Sequence, residues 1–114
     1  MSAEIKNHVL SIIDTIENGY KSEGPEYYDG QYEEGEIISG FDYLEGVLDI
    51  QYIVTGEGEY LGARVLLAYG GPNIWLDTQK QMVEGHWWGD SFSASYHSDI
   101  MDIDGALSEL WGCR

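Results

Sequence analysis

The chain has 114 residues, of which 21 are Asp or Glu and five are Lys or Arg, so its formal net charge at pH 7 is −16. This charge argues against direct binding to nucleic acid or to an anionic membrane surface, because both need a basic face. Hydrophobic residues make up 43% and aromatic residues 13% of the chain, which is enough for a core and argues against disorder. The length predicts a single domain over residues 1–114.

Two features of the sequence bear on the compartment. No segment approaches the roughly 18 apolar residues of a membrane-spanning helix, and the opening MSAE lacks the basic and apolar regions of a signal peptide. The one cysteine, Cys113, has no partner for an internal disulfide, which fits a reducing environment. We therefore expect a cytoplasmic protein.

The first predicted element is a helix that runs from an N-cap at Ser2 to Asn18. Gly19 supplies the left-handed residue that ends it. The apolar residues that recur at the helical spacing, and so predict one buried stripe, are Ile5, Val9, Ile12, Ile13 and Ile16.

Residues 20–36, YKSEGPEYYDGQYEEGE, have no sustained hydrophobic period and predict a loop. The segment mixes acids with tyrosine, a residue type that is enriched at protein interfaces. A solvated loop whose tyrosines lie against the sheet is the alternative. The residues that we predict to bind a partner are Glu23, Glu26, Tyr27, Tyr28, Asp29, Tyr32, Glu33, Glu34 and Glu36.

The middle of the chain predicts an antiparallel meander. A helical turn at 41–45 precedes two alternating strands at 47–54 and 60–69, and further strands follow at 74–76, 82–88 and 91–96. The last of these is expected at the edge of the sheet. The residues of the first two strands predicted to face the core are Leu48, Ile50, Tyr52, Val54, Leu61, Ala63, Val65 and Leu67.

A final helix is predicted, with Asp99 or Asp102 as its N-cap and Gly112 at its end. Its apolar stripe consists of Ile103, Leu107, Leu110 and Trp111. We therefore predict an α+β fold with an N-terminal helix, a four- to five-stranded antiparallel meander sheet and a C-terminal helix packed on the sheet.

No catalytic motif is evident, and we predict a protein that is not an enzyme and needs no cofactor. Gly70-Gly71-Pro72 lacks the following Lys and Ser or Thr of a phosphate loop, so it predicts a turn. The acids and histidines of the second half show no recognised ligand spacing, so we predict no metal site. This group consists of Glu84, His86, Asp90, His97 and Asp99.

The negative charge is concentrated in the first half. Residues 14–59 carry thirteen acids and one base, Lys21, for a net charge of −12, whereas residues 60–114 carry seven acids and three bases, for −4. Such asymmetry predicts one strongly negative face. Duplex DNA carries about one charge per 1.7 Å of axis, so clustered carboxylates can imitate it and compete for the groove of a basic nucleic-acid-binding protein such as a defence nuclease.

The segment GGPNIWLDT followed by VEGHWWGD, between a leading acidic helix and a short terminal helix, resembles small acidic proteins of phages and other mobile elements. The resemblance covers residues 47–111 and consists of aromatic and turn residues, so it assigns no functional residues. Several proteins of this kind are anti-CRISPR or antirestriction inhibitors, some of them DNA mimics, and the resemblance implies an inhibitor.

Two other functions stay open at this point. A toxin immunity protein shares the small size and the acidity. A small-molecule binding module could instead use a sheet lined by tryptophans, namely Trp75, Trp87, Trp88 and Trp111. The sequence leaves open whether the chain is a monomer or a homodimer.

Overall fold

The structure, a computed structural model, describes residues 3–113. Ser2, the predicted N-cap of the first helix, lies outside the described residues. The elements in chain order are α1 (Ala3–Asn18), a short 3-10 turn (Tyr28–Gly30), α2 (Gly40–Leu44), β1 (Asp49–Val54), β2 (Tyr60–Ala68), β3 (Asn73–Asp77), β4 (Met82–Trp87), β5 (Asp90–Ser95) and α3 (Ile103–Gly112).

The five strands form one sheet in the order β1-β2-β3-β4-β5, and each strand is antiparallel to its neighbour. Connections of a few residues join successive strands, so each strand pairs with the one that precedes it. With a helix at each end of the chain, this arrangement confirms the predicted α+β fold with five strands, β5 being an edge strand.

Both long helices cover the same face of the sheet. α1 packs against β4 and β5, and α3 packs against β2. The approach of α1 is close, because a Cβ atom on Gly85 would lie 2.7 Å from Ile5 Cδ1 and 2.8 Å from Val9 Cγ2. The buried apolar residues of the shared core are Ile5, Val9, Ile13, Ile16, Ile38, Leu44, Ala63, Val65, Ile74, Leu76, Val83, Tyr96, Met101, Ile103, Ala106 and Leu107.

Three residues of the predicted core are instead exposed. The side chain of Leu61 is 47% exposed because the register shifts between Ile53 and Val54, which leaves Leu61 as the unpaired residue of a β-bulge. Leu48 is 58% exposed because it precedes β1 and lies outside the alternation of the strand. Leu110 is exposed in the last turn of α3, where the adjacent Trp111 makes the contact with the sheet.

The ends of the helices follow the predicted chemistry. Gly19, with φ of +97°, ends α1, and its amide donates to Thr15 O at 2.7 Å. Both predicted caps act on α3: Asp102 Oδ1 accepts from the Gly105 amide at 3.1 Å, and Asp99 Oδ1 accepts from the Ile103 amide at 2.9 Å. Two carboxylates therefore satisfy amides that the first turn leaves without helical partners.

Trp111 joins α3 to the sheet, and its replacement by alanine is expected to lower the free energy of unfolding by about 2 kcal/mol. Its Nε1 donates to Gly58 O at 2.9 Å, and its ring centroid lies 5.1 Å from that of Tyr52. The loss stays below the roughly 3–5 kcal/mol of a fully buried tryptophan because the side chain is only half-buried.

Urea denaturation measures this loss. Trp111→Phe is the comparison variant, because it keeps an aromatic ring against Tyr52 while removing the Nε1 hydrogen bond and part of the ring area, so its loss should be smaller than that of the alanine variant. Equal stabilities of the alanine variant and the parent would contradict the contact.

Candidate functional site

The predicted binding segment is a loop that is closed at its base. The amide of Ser22 donates to Glu36 O at 2.7 Å, and the amide of Gly35 donates to Ser22 O at 2.9 Å. The amide of Ile38 donates to Tyr20 O at 3.0 Å in the same two-stranded neck. Residues 20–38, called here the acidic loop, therefore leave and rejoin the body of the protein at one place, as a compact Ω-loop does.

The tip of the acidic loop adopts a left-handed turn. Tyr28, Asp29 and Gly30 have φ values of +55°, +57° and +78° in succession. Amide hydrogen bonds from Gly30 to Tyr27 O at 3.2 Å and from Gln31 to Tyr28 O at 3.1 Å close the turn. A left-handed conformation costs a residue other than glycine roughly 1–2 kcal/mol. Such strain persists only where the surrounding structure fixes it, and it often accompanies function.

Tyr32 ties the loop to α2. Its hydroxyl donates to Asp42 Oδ2 at 2.6 Å and accepts from the Ser39 amide at 2.9 Å. The Tyr28 ring packs edge-to-face on Tyr32, with 5.5 Å between ring centroids. Tyr28 and Tyr32 are thus half-buried supports, whereas Tyr27 is 48% exposed. The predicted set therefore divides into two inner tyrosines and an outer surface.

The outer surface of the loop is negative. Its carboxylates are all exposed, at Glu23, Glu26, Asp29, Glu33, Glu34 and Glu36. Glu36 also has an internal role, because its Oε1 accepts from the Glu33 amide at 2.6 Å. Within residues 3–113 the ion pairs are those of Arg64, so none of these carboxylates forms an ion pair with a cation of this part of the chain, Lys21 of the loop included.

Arg64 lies on the open face of the sheet, away from the helices. Its Nη1 is 3.0 Å from Glu84 Oε1 and 3.4 Å from the buried Asp77 Oδ2, and its guanidinium lies 5.0 Å from the centroid of the Trp75 ring. These three contacts hold the Arg64 side chain against the open face of the sheet. The guanidinium of Arg64 therefore forms ion pairs with carboxylates of β3 and β4 and not with the acids of the loop.

The acids and histidines of the second half do not come together as a set of metal ligands in the part of the chain that the structure describes. No three His, Cys, Asp or Glu side chains among residues 3–113 are placed to hold a metal ion. Glu84 faces Arg64, and Asp99 caps α3. The amide of His97 donates to Glu17 Oε2 at 2.7 Å. The carboxylates of Glu84 and Asp99 therefore serve separate structural contacts.

The four tryptophans do not line one pocket. Trp75 is the cross-strand partner of Glu84 on the open face. Trp87 is three residues after Glu84 on β4, an odd spacing that places it on the opposite face, where its ring centroid lies 6.2 Å from that of His8 on α1. Trp88 is 89% exposed at the β4–β5 turn, and Trp111 packs on Tyr52. The four tryptophans therefore do not share one site, although Trp87 and Trp88 both line a pocket at the β4–β5 turn. A small-molecule binding module that uses some of these tryptophans stays a prediction.

A pocket of about 520 Å³ lies elsewhere, between α1, the acidic loop and α2. Its volume is within the roughly 300–1,000 Å³ of ligand sites. The lining residues are Ile12, Tyr20, Tyr28, Ile38, Asp42, Tyr43, Glu45, Gly46, Val47 and Leu67. Sequence reasoning missed this site because its walls come from four separate segments. The clustered Asp42, Tyr43 and Glu45 were the available signal.

Two tyrosines that line this pocket, Tyr28 and Tyr43, have raised pKa values in the folded protein. Burial raises the pKa of the Tyr43 hydroxyl to about 12. Burial also raises the pKa of Tyr28, and the nearby Tyr20, Asp42 and Glu23 add to that rise. A phenol whose pKa is higher in the folded state stabilises the fold below its unfolded pKa of about 10.

The folded protein should consequently lose stability as the pH rises from about 10 to about 12, the interval over which Tyr43 ionises with greater difficulty in the folded state than in the unfolded state. Urea titrations over this range, with tyrosinate absorbance as a second probe, measure the loss. Tyr43→Phe should make the decline shallower, whereas Tyr69→Phe, at an exposed site, should leave it unchanged. Identical profiles for both variants would contradict the assignment to Tyr43.

No helix described within residues 3–113 has the length and apolar character needed to cross a membrane. Comparison of the chain with protein-family models, with curated proteins and with solved structures gives no match.

Proposed function

We propose that this protein is a non-enzymatic inhibitor that binds a basic, nucleic-acid-handling protein, such as a defence nuclease, through the acidic loop. The observation that carries the proposal is the set of exposed loop carboxylates, six acids against the single Lys21, none of which forms an ion pair with a cation among residues 3–113. Self-repulsion of these charges disfavours the compact state, and a basic groove is the kind of surface that offsets it.

The construction of the loop supports binding over simple solvation. The neck at Ser22 and Gly35 and the hydroxyl of Tyr32 fix the backbone before a partner arrives. A surface that is ordered in advance loses less entropy on association. Tyr27, an exposed residue that follows Glu26 in the loop, supplies contact area of the kind that anchors interfaces.

The proposed partner is a DNA-binding protein because clustered carboxylates match the charge of the phosphate backbone. The resemblance of residues 47–111 to acidic proteins of mobile elements supports an inhibitor of the anti-CRISPR or antirestriction type. On this proposal the protein and DNA occupy the same basic groove, and the protein itself binds no nucleic acid.

Displacement by DNA tests the proposal. The full chain is immobilised, exposed to lysate from its native host, washed, and then eluted with duplex DNA. The proposal expects a basic protein that is retained and released by duplex DNA, and that is not released by an equal mass of a neutral polymer. A retained protein that DNA does not release, or the absence of any retained basic protein, would contradict it.

A further inference from the structure

We infer that the pocket between α1, the acidic loop and α2 is a binding site for an organic cation, and that its occupant is the guanidinium group of an arginine from the basic partner. This inference rests on the proposed function for the source of the arginine. It extends the binding surface from the exposed carboxylates of the loop to the cavity beside Tyr28.

The chemistry of the pocket walls favours a group with an apolar stem and a charged head. Ile12, Ile38, Val47 and Leu67 form an apolar part of the lining. The stem of an arginine side chain can lie along such a surface while its head stays polar. A small, strongly hydrated cation would gain nothing from these walls.

Tyrosines and carboxylates complete the lining. Tyr20, Tyr28 and Tyr43 supply aromatic rings, and cations bind favourably over such rings. A phenol with the ordinary pKa of about 10 is neutral at pH 7, and burial raises the pKa of Tyr28 and Tyr43 further, so both hydroxyls can donate or accept hydrogen bonds.

Two acids, Asp42 and Glu45, line the same pocket and determine the sign of its ligand. Asp42 Oδ2 already accepts from the Tyr32 hydroxyl, and Oδ1 has no donor within residues 3–113. Glu45 is exposed at the same site. An anionic ligand would be repelled, and a guanidinium, which offers several donors in a plane, matches carboxylate acceptors better than an ammonium does.

The geometry also links the pocket to the loop. Tyr28 lines the cavity and begins the left-handed turn that carries Asp29. Asp42 also lines the cavity, and its carboxylate accepts the hydrogen bond from the Tyr32 hydroxyl. An arginine that enters the pocket would therefore contact the residues that fix the loop, so both parts of the surface could engage one partner together.

Titration of the ¹⁵N-labelled full chain with butylguanidinium, followed by NMR, tests the site. We expect saturable shifts at the amides of Tyr43, Gly46 and Val47. N-butylurea, a neutral molecule of similar shape, should bind at least tenfold more weakly. Equal binding of the two molecules would show an apolar cavity without cation selectivity and would overturn the inference.

Matched charge variants separate the pocket from the general acidity of the protein. Glu45→Gln should weaken butylguanidinium binding about tenfold, whereas Glu57→Gln, in the β1–β2 connection outside the pocket, should leave it unchanged. Equal losses in both variants would show nonspecific attraction and overturn the site. Both substitutions are at exposed positions, so the folded state is expected to persist.

A further titration identifies the source of the cation. The peptide acetyl-Gly-Arg-Gly-amide should bind at least as tightly as butylguanidinium. Binding of butylguanidinium without binding of the peptide would overturn the assignment to a partner's arginine.

Failure of this inference is distinguishable from failure of the proposed function. A protein that retains a partner released by DNA but does not bind butylguanidinium would overturn the pocket alone. A protein that binds butylguanidinium selectively but retains no basic partner would overturn the proposed function, together with the assignment of the cation to that partner.

Discussion

Replacement of Glu26, Glu33 and Glu34 by lysine is expected to weaken binding of the DNA-displaceable partner by 100-fold or more, which corresponds to about 2.7 kcal/mol. These carboxylates are exposed on the acidic loop, and none of them forms an ion pair with a cation among residues 3–113. Like charges placed against each other across an interface cost several kcal/mol. Glu36 is left in place because its carboxylate accepts from the Glu33 amide and helps to shape the loop.

The control for this variant carries the same charge at other places. Each Glu→Lys change removes one negative charge and adds one positive charge, so three changes move the net charge from −16 to −10 wherever they are made. Glu57, Glu59 and Glu109 are exposed and lie outside the loop, and their replacement by lysine should weaken binding much less. Thermal unfolding should show similar stability for both variants, because exposed charges contribute little to folding. Equal affinities of the loop variant and the control variant for the partner would contradict a binding face localised to the acidic loop.

The second large effect is expected at Gly40, where alanine should lower the free energy of unfolding by about 3 kcal/mol. A Cβ atom there would lie 2.7 Å from Asp102 O and 2.9 Å from Met101 O, and both are backbone atoms that cannot turn aside. The Gly40 amide also donates to Met101 O at 2.9 Å, so separation of the two segments would break that bond.

Gly46→Ala is the matched control, because the nearest atom to its Cβ is Tyr43 O at 3.8 Å, an ordinary contact. Denaturation in urea gives both free energies. A loss at Gly40 no larger than that at Gly46 would contradict the close approach of α2 to the segment before α3. Since Asp42 on α2 anchors Tyr32, the Gly40 variant should also weaken partner binding.

The elements of the fold were predictable because each buries one face. The stripe of α1 and the alternation of the strands follow from hydrophobic periodicity, and the turns follow from glycine-rich or polar connections. Leu61 was mispredicted because a bulge adds a residue to one strand, and a strict period of two cannot represent that insertion. The bulge depends on pairing with β1, which lies outside the local sequence.

The candidate site was predictable only in part. The acidic and aromatic composition of residues 20–36 identified the segment, but not its internal order. The division into inner Tyr32 and outer Tyr27 depends on the hydrogen bond to Asp42, ten residues away. The pocket brings Ile12, Tyr28 and Leu67 together from distant parts of the chain, and only the assembled fold determines that contact.

The salt dependence of partner binding tests the central claim most directly. Affinities of the parent and of the Glu26, Glu33 and Glu34 lysine variant are measured for the DNA-displaceable partner from low to moderate ionic strength. If the acidic loop faces a basic groove, the parent should lose affinity steeply as salt screens the attraction, and the variant should show a much shallower dependence. Parallel dependences for the two proteins, or affinities that salt does not change, would contradict the claim that the acidic loop binds the partner.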